Sequence, residues 1–196
     1  MGKFLLFYFG WISILAVQAE PESHSDYLNR SALGANYYAL TYHPGGGGAV
    51  YPRQLDSEAY WVLQLGAEAY ADHYVARWFL LRGSVSLYRD CADVWAGFAH
   101  FGFRVNWAPT RRYALRIGIG PSFLWRESWL GQVPRYRSDA FFGRPKPTDR
   151  FQTAWIWYGG NMDAEVKLGR GWGLVYSLVP GYPFVITSSL GLRAGF

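Results

Sequence analysis

The segment 184–196 alternates between apolar and polar side chains. The apolar phase consists of Phe184, Ile186, Leu190, Leu192, Ala194 and Phe196. The other phase consists of Thr187, Ser189, Gly191, Arg193 and Gly195. Because successive side chains of a β-strand point to opposite faces, the segment is predicted to form a strand with one apolar and one polar face.

Seven further segments alternate in the same way. The predicted strands are 32–42, 59–71, 79–87, one that ends at residue 107, 113–126, 151–168, 172–179 and 184–196. A tight turn is predicted at 71–73, and long loops are predicted after the glycine run 44–48 and over Glu127–Arg150. Alternately short and long connections between eight strands predict an all-β, antiparallel, up-and-down barrel.

Two predicted strands contain irregular features. Pro121 lacks an N–H group, so it weakens the ladder of the fifth strand or marks a bulge. In the sixth strand, strict alternation predicts Ala154 and Ile156 on the apolar face, with Trp155 and Trp157 on the polar face.

The chain begins with the features of an exported protein. A short basic start is followed by an apolar run over residues 4–17, and Val17 and Ala19 supply the small residues of a cleavage site, which predicts a signal peptide over residues 1–19. Residues 20–31 are predicted to be a periplasmic lead-in, and residues 32–196 the barrel. An exported chain with a net charge of +5 is not expected to bind nucleic acid, and the modest basic excess suits an anionic lipid surface.

Charged residues of the strands share one phase, opposite the apolar one. They are Glu68, Arg82, Arg104, Arg116, Asp163, Glu165, Lys167 and Arg193. Alternation alone fits both a soluble barrel, with these charges outside, and a membrane barrel, with the charges inside.

The aromatic residues distinguish the two kinds of barrel. Aromatic side chains make up 19% of the chain. On the apolar face they fall near both ends of the strands: Trp61, Trp95 and Trp125 at the loop ends, and Trp107, Tyr113, Trp172 and Phe196 at the turn ends. Two aromatic girdles around an apolar belt are typical of the two interfaces of a membrane, so the transmembrane barrel is favoured.

These features, together with a final strand that ends on Phe196, resemble the small eight-stranded barrels of bacterial outer membranes, of the OmpA transmembrane-domain and OmpX type. The resemblance implies a monomer in the outer membrane that contacts lipid and lipopolysaccharide. It also implies that the barrel assembly machinery recognises the C-terminal strand through Phe196, and that no cofactor is needed.

The interior of so small a barrel has room only for side chains, so the inward charges are predicted to form a packed ion-pair network. This favours a structural or surface-interacting protein over an enzyme. One alternative is a lipid A-modifying deacylase or acyltransferase that uses His100 with Ser84 or Ser122. Another is an OmpW-like channel for small hydrophobic molecules.

The long loop is the second candidate functional region. Its basic residues alternate with aromatic ones and could bind the phosphates of lipopolysaccharide. These predicted contacts are Arg126, Arg135, Arg137, Arg144, Lys146 and Arg150. The histidines show no metal-ligand spacing, so no metal site is predicted.

Overall fold

A computed structural model describes residues 31–45, 51–107, 110, 112–130, 132–133, 141–169, 171–181 and 185–196. The strands are β1 (Ser31–Tyr42), β2 (Trp61–Ala76), β3 (Phe79–Arg89), β4 (Trp95–Trp107), β5 (Tyr113–Glu127), β6 (Phe151–Lys167), β7 (Trp172–Gly181) and β8 (Val185–Gly195). Each strand pairs antiparallel with its neighbour in the chain, and β1 pairs with β8. The predicted eight-stranded up-and-down barrel is therefore confirmed. In the described part of the chain, no helix is long and apolar enough to cross a membrane.

The barrel has two unlike ends. The connections 77–78, 108–112 and 168–171 and the C-terminal residue lie at one end, called the turn end, and the connections 43–60, 90–94, 128–150 and 182–184 lie at the other, called the loop end. Phe196 continues the pairing of β8 with β1 at the turn end, because its backbone N–H donates to the Ser31 carbonyl at 2.9 Å. The predicted signal peptide and residues 20–30 of the predicted lead-in lie outside the described residues.

The turn predicted at 71–73 was wrong. β2 continues to Ala76, and the chain reverses at residues 77–78. Asp72 lies directly opposite Arg82 across the β2–β3 ladder, and its side chain points into the barrel. An aspartate in a strand is unfavourable when it stands alone, but an arginine on the neighbouring strand neutralises it, so the strand continues.

The predicted faces of the first half of β6 were also wrong. Between Gly120 and Ser122 the β5–β6 register shifts, so that Pro121 lies opposite both Trp157 and Tyr158. This is the bulge that Pro121 was expected to mark. The extra residue reverses the phase of the strand, so Trp155 and Trp157 point outward and are exposed, while Ala154 and Ile156 share the inward face with Leu124 and Ser122.

Polar side chains fill the barrel, and apolar side chains cover it. The largest fully buried side chains are Arg82, Arg104 and Arg116. The exposed apolar side chains include Val85, Phe101, Phe103, Ile117, Ile119, Leu190 and Leu192. Among the described residues, the cluster of buried apolar side chains comprises Tyr74 and Leu80. A surface this apolar around a charged interior is the arrangement of a barrel that spans a membrane.

Exposed aromatic side chains mark both ends of this apolar surface. Trp61 and Trp95 are exposed at the loop end. Trp78, Trp107, Trp172 and Phe196 are exposed at the turn end. Two such belts match the girdles expected at the two membrane interfaces.

Candidate functional site

A charged cluster fills the turn-end half of the interior. Arg82 donates Nη2 to Asp72 Oδ2 at 2.8 Å and Nε to Asp72 Oδ1. The same guanidinium places Nη1 2.9 Å from Asp163 Oδ2. The two-pronged contact to Asp72 follows from the β2–β3 register, which places the two residues opposite each other.

Asp163 of β6 contacts side chains from three other strands, β3, β4 and β7. Its Oδ2 accepts from Arg104 as well as contacting Arg82, and its Oδ1 accepts from Ser177 Oγ at 2.6 Å. Its side chain is fully buried, as are both guanidinium groups. Removing one of these partners would leave a buried charge without full compensation, which destabilises the folded barrel.

Arg193 joins this group to a second ion pair. Its Nε donates to Asp72 Oδ2 at 3.2 Å, and its Nη1 lies 3.6 Å from Glu165 Oε1. Glu165 also accepts from Arg116, which in turn donates Nε to Tyr74 Oη at 3.2 Å. The contacts therefore run continuously from β2 and β3 to β6 and β8.

Two of the predicted interior charges also hydrogen-bond to groups outside this set of arginines and acids. Lys167 donates Nζ to the Thr110 carbonyl at 2.8 Å, at the turn end. Glu68 lies nearer the loop end and accepts from Asn36 Nδ2 at 2.9 Å. The structure thus brings Arg82, Arg104, Arg116, Asp163, Glu165 and Arg193 together, and it adds Asp72, which the sequence analysis placed in a turn.

The missed residues continue an alternation that was already visible. Tyr70, Asp72 and Tyr74 follow Glu68 in the same phase, and all three are buried inside the barrel. Extending the predicted strand past residue 71 would have identified Asp72 and Tyr74 as inward residues. With Asp72 included, the buried arginines of the described residues (Arg82, Arg104, Arg116, Arg126, Arg193) are equal in number to the buried carboxylates (Glu68, Asp72, Asp90, Asp163, Glu165).

His100 and Ser122 form a buried pair nearer the loop end. His100 Nδ1 lies 2.8 Å from Ser122 Oγ, because the two residues face each other across the β4–β5 ladder. Ser84 lies opposite His100 on the other side, but its Oγ has no hydrogen-bond partner among the described residues. No described carboxylate hydrogen-bonds to His100, so the group that orients the base in a Ser-His hydrolase is not seen.

Within the described ranges, no group of three or more His, Cys, Asp and Glu side chains is arranged to hold a metal ion.

The loops at the loop end are tied to one another by buried polar contacts. Asp90 Oδ1 accepts from the backbone N–H groups of Ala92 and Val94 at 2.9 and 3.2 Å, and its Oδ2 accepts from Trp129 Nε1 at 2.7 Å. Burial raises the pKa of the Asp90 carboxyl group, and these three hydrogen bonds oppose the rise. A salt bridge of 2.8 Å between Arg53 and Asp93 joins the first loop to the second.

Arg126 is part of this buried region. Its guanidinium lies 4.1 Å from the ring centroids of both Trp129 and Phe142, and its Nε donates to Gln152 Oε1 at 3.2 Å. Arg126 therefore lies inside the mouth of the barrel, and we do not retain it among the candidate lipopolysaccharide contacts. Arg144, Lys146 and Arg150 are exposed, whereas the predicted contacts Arg135 and Arg137 lie outside the described residues.

The stability of the first loop should depend on pH, because His43 is buried in it. Its ring centroid lies 4.7 Å from that of Tyr51, and burial lowers its pKa from 6.5 to about 4. The folded loop keeps the imidazole neutral. The loop therefore has its full stability above about pH 6.5 and loses stability as the pH falls towards 4. Hydrogen exchange of residues 51–60 should accelerate between pH 7 and pH 5 after correction for intrinsic rates. His43→Gln should abolish the change, and an equal acceleration in that variant would contradict the assignment to His43.

No protein-family model matches the chain, and no curated protein matches it. Among solved structures, the chain is similar to Ail, the attachment invasion locus protein of Yersinia pestis, at 12% identity over 86% of this chain and 99% of Ail, with a TM-score of 0.50. The N-terminal β-barrel domain of Pseudomonas aeruginosa OprF matches at 12% identity over 86% and 98%, with a TM-score of 0.49. Neisserial surface protein A matches at 11% identity over 85% and 97%, with a TM-score of 0.44. At such identities the likeness shows the fold alone, which is that of the small eight-stranded barrels of bacterial outer membranes.

Proposed function

We propose that this chain is a monomeric outer-membrane barrel with a sealed interior, whose role is structural or lies in contacts made by its loops at the cell surface. The observation that carries the proposal is the inverted polarity of the barrel: fully buried Arg82, Arg104 and Arg116 lie behind an exterior of exposed apolar side chains. The final strand, which reaches Phe196, is the segment that the assembly machinery would recognise.

The buried ion pairs support a sealed interior. An eight-stranded barrel encloses a space just wide enough for its own side chains. Here four guanidinium groups and their carboxylate partners occupy part of that space. A continuous water path would require these contacts to break, so the barrel would conduct no ions.

Lipopolysaccharide is the proposed surface ligand of the last part of the long loop. Arg144, Lys146 and Arg150 are exposed there, and Arg150 lies 5.4 Å from the ring centroid of Phe151 at the loop-end aromatic belt. Cations just above an aromatic belt are placed to meet the phosphates of a lipid headgroup.

A binding measurement tests this surface. Replacing Arg144, Lys146 and Arg150 together with alanine should weaken binding to lipopolysaccharide micelles by about tenfold or more, since each exposed cation near an anionic surface contributes about 1 kcal/mol. The difference should shrink in high salt. Arg112→Ala, which removes an exposed cation at the turn end, is the matched control and should leave binding unchanged. Equal binding by the triple variant and the unmodified protein would remove lipopolysaccharide as the ligand of this loop.

A lipid A-modifying enzyme is the second candidate, and the 2.8 Å contact between His100 and Ser122 is the observation that favours it. Mass spectrometry of lipid A from a host that expresses the protein, beside a host that expresses His100→Ala, tests this function. A change in acyl chains that requires His100 would make the protein an enzyme. Unaltered lipid A with folded protein in the outer membrane would leave the structural or binding role.

A further inference from the structure

The connections at the two ends of the barrel differ in charge. Those at the turn end contain four arginines and no acidic residue: Arg77, Arg111, Arg112 and Arg170. Those at the loop end contain as many acidic as basic residues. The turn-end connections therefore carry positive charge only, and they attract anions.

Arg77 is the turn-end arginine that lies against the aromatic belt. Its guanidinium carbon is 4.9 Å from the centroid of the Trp78 ring, and Trp78 is exposed. Asn106 holds this connection against the end of β4. Its Nδ2 donates to the Arg77 carbonyl at 3.1 Å, and its backbone N–H donates to the Trp78 carbonyl at 2.9 Å. The guanidinium is therefore anchored at the level where an aromatic belt meets lipid headgroups.

The Arg77 guanidinium has no acidic partner within the described part of the protein. The buried carboxylates of the turn-end half, Asp72, Asp163 and Glu165, contact other arginines. The Arg77 Nε atom is buried, and it has no hydrogen-bond partner among the described residues. Because the side chain is half-buried, water screens its charge less than that of the exposed Arg112. Arg77 is thus the better placed of the two to bind an anion at a fixed position.

Apolar side chains surround this cation on the outer surface. Phe79 of β3 lies opposite Val105 of β4, and both are exposed, as is Trp107 at the end of β4. A ligand whose anionic group met Arg77 would therefore place any attached hydrocarbon against an apolar surface. This combination of one cation and adjoining apolar side chains fits a phospholipid better than a free phosphate ion.

We propose that Arg77 and Trp78 bind the headgroup phosphate of an anionic phospholipid, with phosphatidylglycerol as the simplest example, in the leaflet at the turn end. The guanidinium donates two parallel hydrogen bonds to phosphate oxygens, and the indole ring lies beside the polar part of the lipid. A zwitterionic headgroup carries its own cation, which competes with Arg77, so the anionic lipid is preferred. The inference rests on the proposed placement of this barrel in a membrane.

Photolabelling in phosphatidylcholine nanodiscs tests the proposal. The discs contain a small fraction of either phosphatidylglycerol or phosphatidylcholine with a diazirine next to the glycerol, and labelled residues are identified by mass spectrometry. We expect the phosphatidylglycerol probe to label Trp78 and Phe79 about fivefold more than the phosphatidylcholine probe does, the preference expected from one cation. High salt should reduce this ratio. At the loop end, the two probes should label Trp61 and Trp95 equally.

Three variants separate a site from general attraction to positive charge. Arg77→Gln should lower the ratio at Trp78 to about one. Arg77→Lys keeps the charge but loses the two-pronged geometry, and it should give an intermediate ratio. Arg112→Gln removes the same charge from an exposed position at the same end, and it should leave the ratio within about twofold of the original. An equal loss of the ratio in the two glutamine variants would overturn the site at Arg77.

The unmodified protein distinguishes this inference from the proposed function. Equal labelling of Trp78 and Phe79 by the two probes would overturn the anionic lipid site while leaving the barrel in the membrane. The same preference for phosphatidylglycerol at Trp61 and Trp95 as at Trp78 would also overturn it. An absence of labels from both probes at Trp61, Trp95 and Trp107 would contradict the membrane placement itself.

Discussion

Replacing Asp163 with leucine should destabilise the barrel by about 3–5 kcal/mol, the usual result of removing one partner from a buried ion pair. Asp163 contacts Arg82 and Arg104 and accepts from Ser177. Arg82 would keep Asp72, but Arg104 would have no other carboxylate within salt-bridge distance among the described side chains. The free energy of unfolding is measured by urea titration in detergent micelles, followed by tryptophan fluorescence.

Ala164→Leu is the matched control for this prediction. Ala164 is the next residue of β6, and it lies on the outward face beside Leu115 and Tyr176. Its enlargement should change the free energy of unfolding by about 0.5 kcal/mol or less, as surface substitutions usually do. If Asp163→Leu behaved like the control, the charged cluster would not be a stabilising element of the interior.

Replacing Ile119 with arginine should destabilise the barrel in lipid vesicles by about 2–4 kcal/mol, because a cation near the bilayer midplane is exposed to hydrocarbon. Ile119 lies near the middle of β5 and is 58% exposed. In a soluble protein an exposed position of this kind would accept arginine with little effect. The free energy of unfolding in vesicles is the quantity to compare.

Leu55→Arg serves as the control for the membrane effect. Leu55 is as exposed as Ile119 but lies in the loop between β1 and β2, outside the apolar belt. It should accept arginine within about 0.5 kcal/mol. Equal tolerance of arginine at the two positions would show that the middle of β5 faces water.

Much of the architecture could be predicted because a strand has a fixed period of two. Arg82, Arg104, Arg116 and Arg193 keep one phase with their own strands, and that phase is the buried one. The distribution of tryptophans then identified which face meets the membrane. The buried phase of the arginines and the outward phase of the tryptophans both follow from the spacing of residues within one strand, which can be read from the sequence.

The errors arose where a residue on another strand changes the local pattern. The bulge opposite Pro121 reversed the faces of Trp155 and Trp157, and alternation within β6 alone does not show where an extra residue is placed. Aspartate is a common turn residue, and Asp72 lies within a strand because Arg82 is opposite it on β3. Each error reflects a cross-strand relation that the sequence of one segment does not contain.

The candidate sites were less predictable than the fold. Arg126 belongs to a run of basic residues, yet it packs between Trp129 and Phe142 inside the mouth of the barrel. The end of the β6–β7 ladder depends on how far the two strands extend past each other, which strand patterns fix to within a few residues at best. The predicted seventh strand ended at residue 179, whereas β7 includes Pro180, which lies opposite Ile186 of β8.

A nitroxide scan of β3 in lipid bilayers, in a background that lacks Cys91, distinguishes a membrane barrel from a soluble one. Single labels at 84, 85, 86 and 87 replace two inward serines and the outward Val85 and Leu87. We expect strong collisions with oxygen dissolved in the bilayer at 85 and 87 and weak collisions at 84 and 86. Labels at 84 and 86 that respond to a water-soluble relaxation agent, with 85 and 87 shielded from both reagents, would show a soluble barrel with an apolar core.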